Sequence, residues 1–257
     1  MSLVETDWLE NNKDKVKIID CSWHMPQTKR NGFEEYKTQH IPESIFFDLD
    51  DNSDKNTNLP HMLVNKNEWE KIVSKMGIKN EDMIIIYDNS DVVSSCRCWF
   101  NFIYYGHDPK LVHVLNGGLK KWLEEKRKVT NNLSKVMKSD YKSFENQELV
   151  KNKDSINQNI ETQNFRVVDA RSKERFEGKV PEPREGLKSG SIKNSVCIPF
   201  GSCLNQDRTF RNKQELEKIF QSSLKNLNDK NIVFSCGSGA VSYTHLRAHD
   251  TINHRGC

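Results

Sequence analysis

The chain has 257 residues, 35% of them apolar and 29% charged, with a formal net charge of +3 at neutral pH. That length can bury one large core or two of ordinary size, and the composition is that of a soluble globular protein. The charge is too mild, and its carriers too evenly interspersed, for a nucleic-acid or membrane surface, whereas an anionic small substrate is compatible with it.

The opening stretch MSLVETDWLENNKDK has no basic region followed by an apolar one, and no run approaches the roughly 18 apolar residues of a spanning helix. A cytoplasmic protein is expected, with no nucleic-acid and no membrane partner. The seven cysteines (Cys21, Cys96, Cys98, Cys197, Cys203, Cys236, Cys257) are odd in number, scattered and without CxxC spacing. This argues against a disulfide framework or structural zinc, so reduced thiols are expected. The CRC at 96–98 has no His or Cys partner at ligand spacing, and no metal site is expected there.

Taken in chain order, KVKIIDCSW is an apolar run ending at Asp20, followed by QHIPESIFFD. NEWEKIVSKMG places Trp69, Ile72, Val73 and Met76 on one helical face, with Asn67 as the expected cap and Gly77 as the stop. The run of MIIIYDNSD ends before Asp88, a helix is expected in CRCWFNFIYYG from Cys96, and a strand in LVHVL from Leu111. A polar stretch rich in Lys, Ser and Asn, residues 131–160, reads as a linker. The pattern then recurs. FRVVDARS ends its run at Asp169, SGSIKNSVCIPF answers to QHIPESIFFD, and NKQELEKIFQSSLKNL repeats the helical face with Leu216, Ile219, Phe220 and Leu224. NIVFSCGSG sets Cys236 where the first copy has Asp88, and the two copies keep nearly the same spacing throughout, so the module is duplicated.

Each apolar run is short, β-branched and unalternating, as for a strand buried on both faces of a parallel sheet. Strands alternating with helices give an α/β fold with right-handed crossovers, here two tandem domains, each a mainly parallel sheet flanked by helices. The expected boundaries are 1–130, a linker over 131–160, and a second domain over 161–239. Ligands bind beyond the carboxyl ends of such strands. Asp88 and Cys236 both fall there, but only the second copy carries a nucleophile, which suggests a structural first half and a catalytic second half.

A loop of small residues lets backbone N–H groups turn inward as an anion nest, and a helix start behind it adds partial positive charge. Both favour an ionised sulfur. From the loop alone, Cys236 is equally readable as a small buried hydrophobe. Arg171, Arg175 and Arg184 follow from DARSKERFEGKVPEPREG. Arginine forks suit a carboxylate, although such a cluster also reads as a solvated face.

Together, FFDLDDNSDKNTNLPHML, VLNGGLKKWLEE, VVDARSKERFEGKVPEPREG and CGSG resemble the two-domain rhodanese family, and the CGSG loop resembles its 3-mercaptopyruvate sulfurtransferase branch. The resemblance implies a catalytic Cys236 that cycles through a persulfide and passes sulfur from a mercapto acid donor to cyanide or to a thiol acceptor such as a thioredoxin-like protein, with no cofactor. It places Arg175 and Arg184 on the substrate carboxylate and carbonyl, and Gly237 and Gly239 in the binding loop. Ser238, with Asp50 and His61 from the first domain, matches the family's proposed proton-handling group; an Asp and a His in a polar loop are otherwise usually solvated. Thiosulfate enzymes of the family resemble CRKG in the loop, with cations beside the sulfur, and Gly237 and Ser238 supply none. The related phosphatases place an Arg where this chain has Ser242. The rival readings are a thiosulfate sulfurtransferase and, from another class, an inactive fragment or non-catalytic sulfur-binding module.

After Gly239 the resemblance stops. THLRAHDTINHRGC, from Thr244, shows no apolar face where the counterpart of the Cys96 helix belongs, and AVSYTHLRAH resembles a translated sequencing-library adapter. The second domain is therefore expected to be incomplete, without its final helix, strand and helix, and residues 240–257 to be a non-native tail. His245, His249 and His254 are not expected to bind a metal.

Overall fold

A computed structural model describes residues 3–183, 187–224, 231–237 and 239–253. The chain divides into two units, Met1–Gln147 with Gln206–Thr209, and Glu148–Asn205 with Phe210–Cys257.

The first unit is built on strands β1 (Leu3–Val4), β2 (Lys17–Asp20), β3 (Ser44–Phe46), β4 (Ile84–Tyr87) and β5 (Val112–Leu115), in the order β1-β5-β4-β2-β3. Every pairing is parallel, with Ile18 opposite Ile85 and Ile19 opposite Ile86 at the centre. Helices α1 (Thr6–Asn12), α2 (Gly32–Thr38), α3 (Lys66–Lys75), α4 (Ser95–Tyr104) and α5 (Gly118–Glu124) accompany the sheet. Ile18, Ile85, Tyr87 and Leu115 of the strands share a buried cluster with Leu9, Ile41, Leu119 and Trp122. This is why the β-branched runs do not alternate: both of their faces are covered.

Helix α3 buries Trp69, Val73 and Met76 as its spacing predicts. Its cap is Asn65 rather than Asn67: the Asn65 side chain accepts the Glu68 N–H at 3.1 Å, three residues on, as capping geometry requires. Gly77 ends the helix at φ +66°, where a β-carbon would lie 2.4 Å from Val136 Cγ1, so both the turn and the close approach need glycine. That contact belongs to the polar stretch after residue 130. Tyr141 and Ser143 are buried, Lys142 N–H bonds Asn80 Oδ1 at 2.9 Å, and Phe144 N–H bonds Tyr105 O at 3.0 Å.

The second unit repeats the plan with β6 (Arg166–Asp169), β7 (Val196–Cys197) and β8 (Ile232–Ser235), parallel and ordered β7-β6-β8, and helices α6 (Lys153–Thr162), α7 (Lys173–Phe176) and α8 (Lys213–Ser223). Asn212 and Glu215 form a reciprocal capping box at the start of α8, whose Leu216 and Phe220 are fully buried. The first unit's β5 has no counterpart among the described residues of the second.

Beyond the loop the expectation of no helix is overturned. Residues Ser242–Asn253 form α9, which packs on α8 and β8 and buries Thr244, His245, Arg247 and Ala248. Leu, Arg and Ala are strong helix formers, and the inward face is made from an imidazole, an arginine stem and a methyl rather than from an apolar stripe. The His245 ring lies 6.0 Å from Phe220 and 5.8 Å from Phe234, centroid to centroid. Neither of its nitrogens makes a well-formed hydrogen bond among the described residues, the Ile198 backbone giving weak compensation.

Candidate active site

Strand β8 ends at Ser235 and delivers Cys236 to the carboxyl edge of the second unit's sheet, half-buried. Gly239 adopts φ +65°, a left-handed turn that aims its N–H back at Cys236 Sγ, 3.1 Å away. The Cys236 thiol also bonds Ser242 Oγ at 3.4 Å, and Ser242 opens α9, so a helix start stands behind the sulfur. A main-chain donor and a hydroxyl therefore converge on one thiol. Ser238 lies outside the described residues.

Beside this loop stands an ion cluster carried by the segment after β6. Arg171 grips Asp169 through Nε at 3.0 Å and Nη2 at 2.6 Å, and reaches Glu182 through Nη1 at 2.7 Å. Arg175, on the one-turn α7, donates from Nε to Glu182 Oε1 at 3.2 Å and from Nη2 to Oε2 at 2.5 Å. These bonds to Arg175, ahead of burial, hold the Glu182 carboxyl below the usual range, while Asp169 raises Arg171 further. Gly237 sits against Arg175: a β-carbon there would be 2.9 Å from Nη2. Cys236, Gly237, Gly239 and Arg175 are thus assembled in one place. Arg184 lies outside the described residues.

Within the first unit, Asp50 and His61 pair, with Nε2 2.9 Å from Oδ1. The other Asp50 oxygen accepts the Trp23 indole N–H at 2.9 Å, and the Trp23 ring meets His61 edge-on at 4.8 Å. His61, with Trp23 second among the favourable contacts, holds the Asp50 carboxyl below its ordinary range against the cost of burial. Arg97 Nη2 donates to the His61 carbonyl at 2.5 Å. At the position matching Cys236, Asp88 accepts the Ser90 N–H and hydroxyl at 2.9 and 2.8 Å and the Ser95 N–H at 3.0 Å. It is a loop brace, not a nucleophile.

Sequence reasoning missed Trp23, Glu182 and Ser242. Glu182 lies in the same PEPR segment as Arg184, and nothing in the sequence sets it apart from a solvated acid. Cys96 and Cys98 are fully buried. No helix among the described residues is long and apolar enough to cross a membrane.

A parallel sheet flanked by helices, present twice, with a cysteine loop at the carboxyl edge of the second copy, defines a class. The model of the rhodanese-like domain matches this chain twice, over residues 5–125 and 152–255, and the chain belongs to that family. It is 36% identical to the mitochondrial thiosulfate/3-mercaptopyruvate sulfurtransferase 1 of Arabidopsis thaliana, over 93% of this chain and 69% of the relative. It is 32% identical to the human 3-mercaptopyruvate sulfurtransferase, over 88% and 76% of the two chains. The crystal structure of SseA from Escherichia coli, described as a 3-mercaptopyruvate sulfotransferase, superposes with a TM-score of 0.89 at 26% identity, covering 99% of this chain and 95% of that one.

Proposed function

We propose that this chain transfers sulfur from 3-mercaptopyruvate, through a persulfide on Cys236, to a thiol or cyanide. The observation that carries the reading is the Gly239 N–H aimed at Cys236 Sγ with the Arg175 guanidinium beside residue 237. In the first half-reaction the Cys236 thiolate attacks the donor sulfur. The carbon–sulfur bond breaks, its electron pair moves to the carbon as the enolate of pyruvate, and protonation releases pyruvate. In the second, an acceptor thiolate or cyanide attacks the outer sulfur and returns the Cys236 thiolate. Electrons balance in both steps without a metal or organic cofactor.

The Gly239 N–H stabilises the anionic sulfur, and Arg175 with Arg184 orients the keto acid so that its sulfur lies in line with Cys236. Asp50, His61 and Ser238 are assigned to proton handling; the support is the Asp50–His61 hydrogen bond at 2.9 Å and the indole that braces it. A thioredoxin-like protein is the acceptor class that fits a half-buried persulfide, and a cytosolic site of action belongs to the same reading.

The loop supplies no cation beside the sulfur, which favours a monoanionic keto acid over the dianion thiosulfate. Steady-state cyanide assays on the two donors test this. Faster turnover of mercaptopyruvate is expected, lost in Cys236→Ser and retained in Cys98→Ala. Faster turnover of thiosulfate would reassign the donor, and activity surviving in Cys236→Ser would remove the nucleophile.

A further inference from the structure

In the ion cluster of the second unit the acids are deeper than the bases. The side chains of Glu182 and Asp169 are 2% and 3% exposed, against 11% for Arg171 and 22% for Arg175. Buried carboxylates of this kind fix what they bind, because moving either partner would leave a charge uncompensated in a poorly solvated place.

A guanidinium offers a carboxylate two edges, the side formed by Nε and Nη2 and the end formed by Nη1 and Nη2. Glu182 already occupies the side edge of Arg175. Arg175 Nη1 has no partner among the described residues, and Nη2, which anchors both edges, lies against Gly237. The edge that no described residue occupies therefore adjoins the loop that carries Cys236. Arg171, the other base of the cluster, is taken up by Asp169, Glu182 and the Gly190 carbonyl at 2.7 Å.

We propose that Glu182 is the positioning residue of the donor site: by holding the side edge of Arg175 it presents the end edge, Nη1 and Nη2, to the carboxylate of the keto acid. This rests on the sulfur-transfer reading above. Residue 237 must then lack a side chain, since a β-carbon would displace the same Nη2. Glu182 acts only through Arg175 and touches no reacting atom.

The test is a double-mutant cycle between Arg175→Ala and Glu182→Gln in the full chain, read as KM and kcat for mercaptopyruvate, with alkylation of Cys236 by iodoacetamide as the control on the nucleophile. Glu182→Gln keeps the size of the side chain but turns one acceptor into a donor that faces the guanidinium. It is expected to raise KM about tenfold with a much smaller change in kcat and unaltered alkylation. In the Arg175→Ala background the same substitution is expected to add about twofold or less. An unchanged KM in folded Glu182→Gln overturns the proposal, as does a loss equally large without Arg175, which would mark Glu182 as merely structural. If Arg175→Ala itself leaves KM unchanged, the assignment of Arg175 to the donor falls first. Should Glu182→Gln not fold, the wild-type enzyme with bound pyruvate decides: its carboxylate on Nη1 and Nη2 with Glu182 in place supports the proposal, and its carboxylate on Nε and Nη2 with Glu182 displaced refutes it.

Discussion

Strands β4 and β8 hold the same place in their sheets, each paired in parallel with the strand that ends in aspartate, β2 or β6. Strand β4 is buried at all four positions and has β5 on its other side. Strand β8 is half-buried at all four and, among the described residues, pairs with β6 alone. Among the described residues the two copies thus differ: one closes its sheet around isoleucines and braces the loop above it with Asp88, whereas in the other the strand leading to the thiol is less covered.

The strand-end aspartates show the same divergence in one residue. Asp20 and Asp169 each accept the N–H two residues on at 2.9 Å, from Ser22 in one copy and Arg171 in the other. Arg171 also clamps Asp169 with its guanidinium. Ser22 offers no charge, and burial pushes the Asp20 carboxyl up to about 7, aided by the nearby Asp88.

That contrast can be broken by pH. Asp20 titrates higher in the folded state than in the unfolded one, so the folded first unit binds more protons between its ordinary value of 3.8 and about 7. Its stability should fall as pH rises through that window, by up to about 4 kcal/mol, and Asp20→Asn should flatten the slope. All five tryptophans, Trp8, Trp23, Trp69, Trp99 and Trp122, lie in the first unit, so their fluorescence during urea unfolding reads this unit directly. A slope that survives in Asp20→Asn would assign it elsewhere.

The second unit should respond with the opposite sign. Burial lowers His245 from 6.5 to about 4, so the unfolded state binds the extra proton, and stability present above 6.5 is lost as pH falls toward 4, by about 3 kcal/mol. His245→Leu should abolish that acid limb and add about 1–3 kcal/mol by removing two unsatisfied nitrogens from the aromatic contact. Circular dichroism during unfolding at pH 5 and pH 7 checks both; an undiminished acid limb in the variant would contradict the account. A smaller effect sharpens the strand comparison: amides of β8 should exchange with solvent about tenfold faster than those of β4, and equal protection would mean that the lateral neighbour of β4 matters little.

The strands and the duplication were legible because their signals are local: short runs rich in β-branched residues that end at Asp20, Tyr87, Asp169 and Ser235, and helical spacing in α3 and α8. The cysteine was legible from the loop that follows a strand, though its role came from resemblance. Apart from the local choice of Asn65 over Asn67, what escaped was set by tertiary partners. Asn65 outcompetes Asn67 because the cap is defined by the amide it reaches. Trp23 meets Asp50 across 27 residues of chain, and Glu182 gains its role from two arginines whose side chains happen to converge. Helix α9 escaped for the same reason, since its polar inward face is supported by Phe220 and Phe234 rather than by any periodicity of its own.

The central claim is that the sulfur of Cys236 accepts a sulfur atom. Treating the folded chain with mercaptopyruvate in the absence of acceptor and mapping it by peptide mass spectrometry tests this most directly. The account predicts one added sulfur on the peptide containing Cys236 and none on those containing the buried Cys21, Cys96 or Cys98; a folded sample with Cys236 unmodified, or with the sulfur on another cysteine, would contradict it.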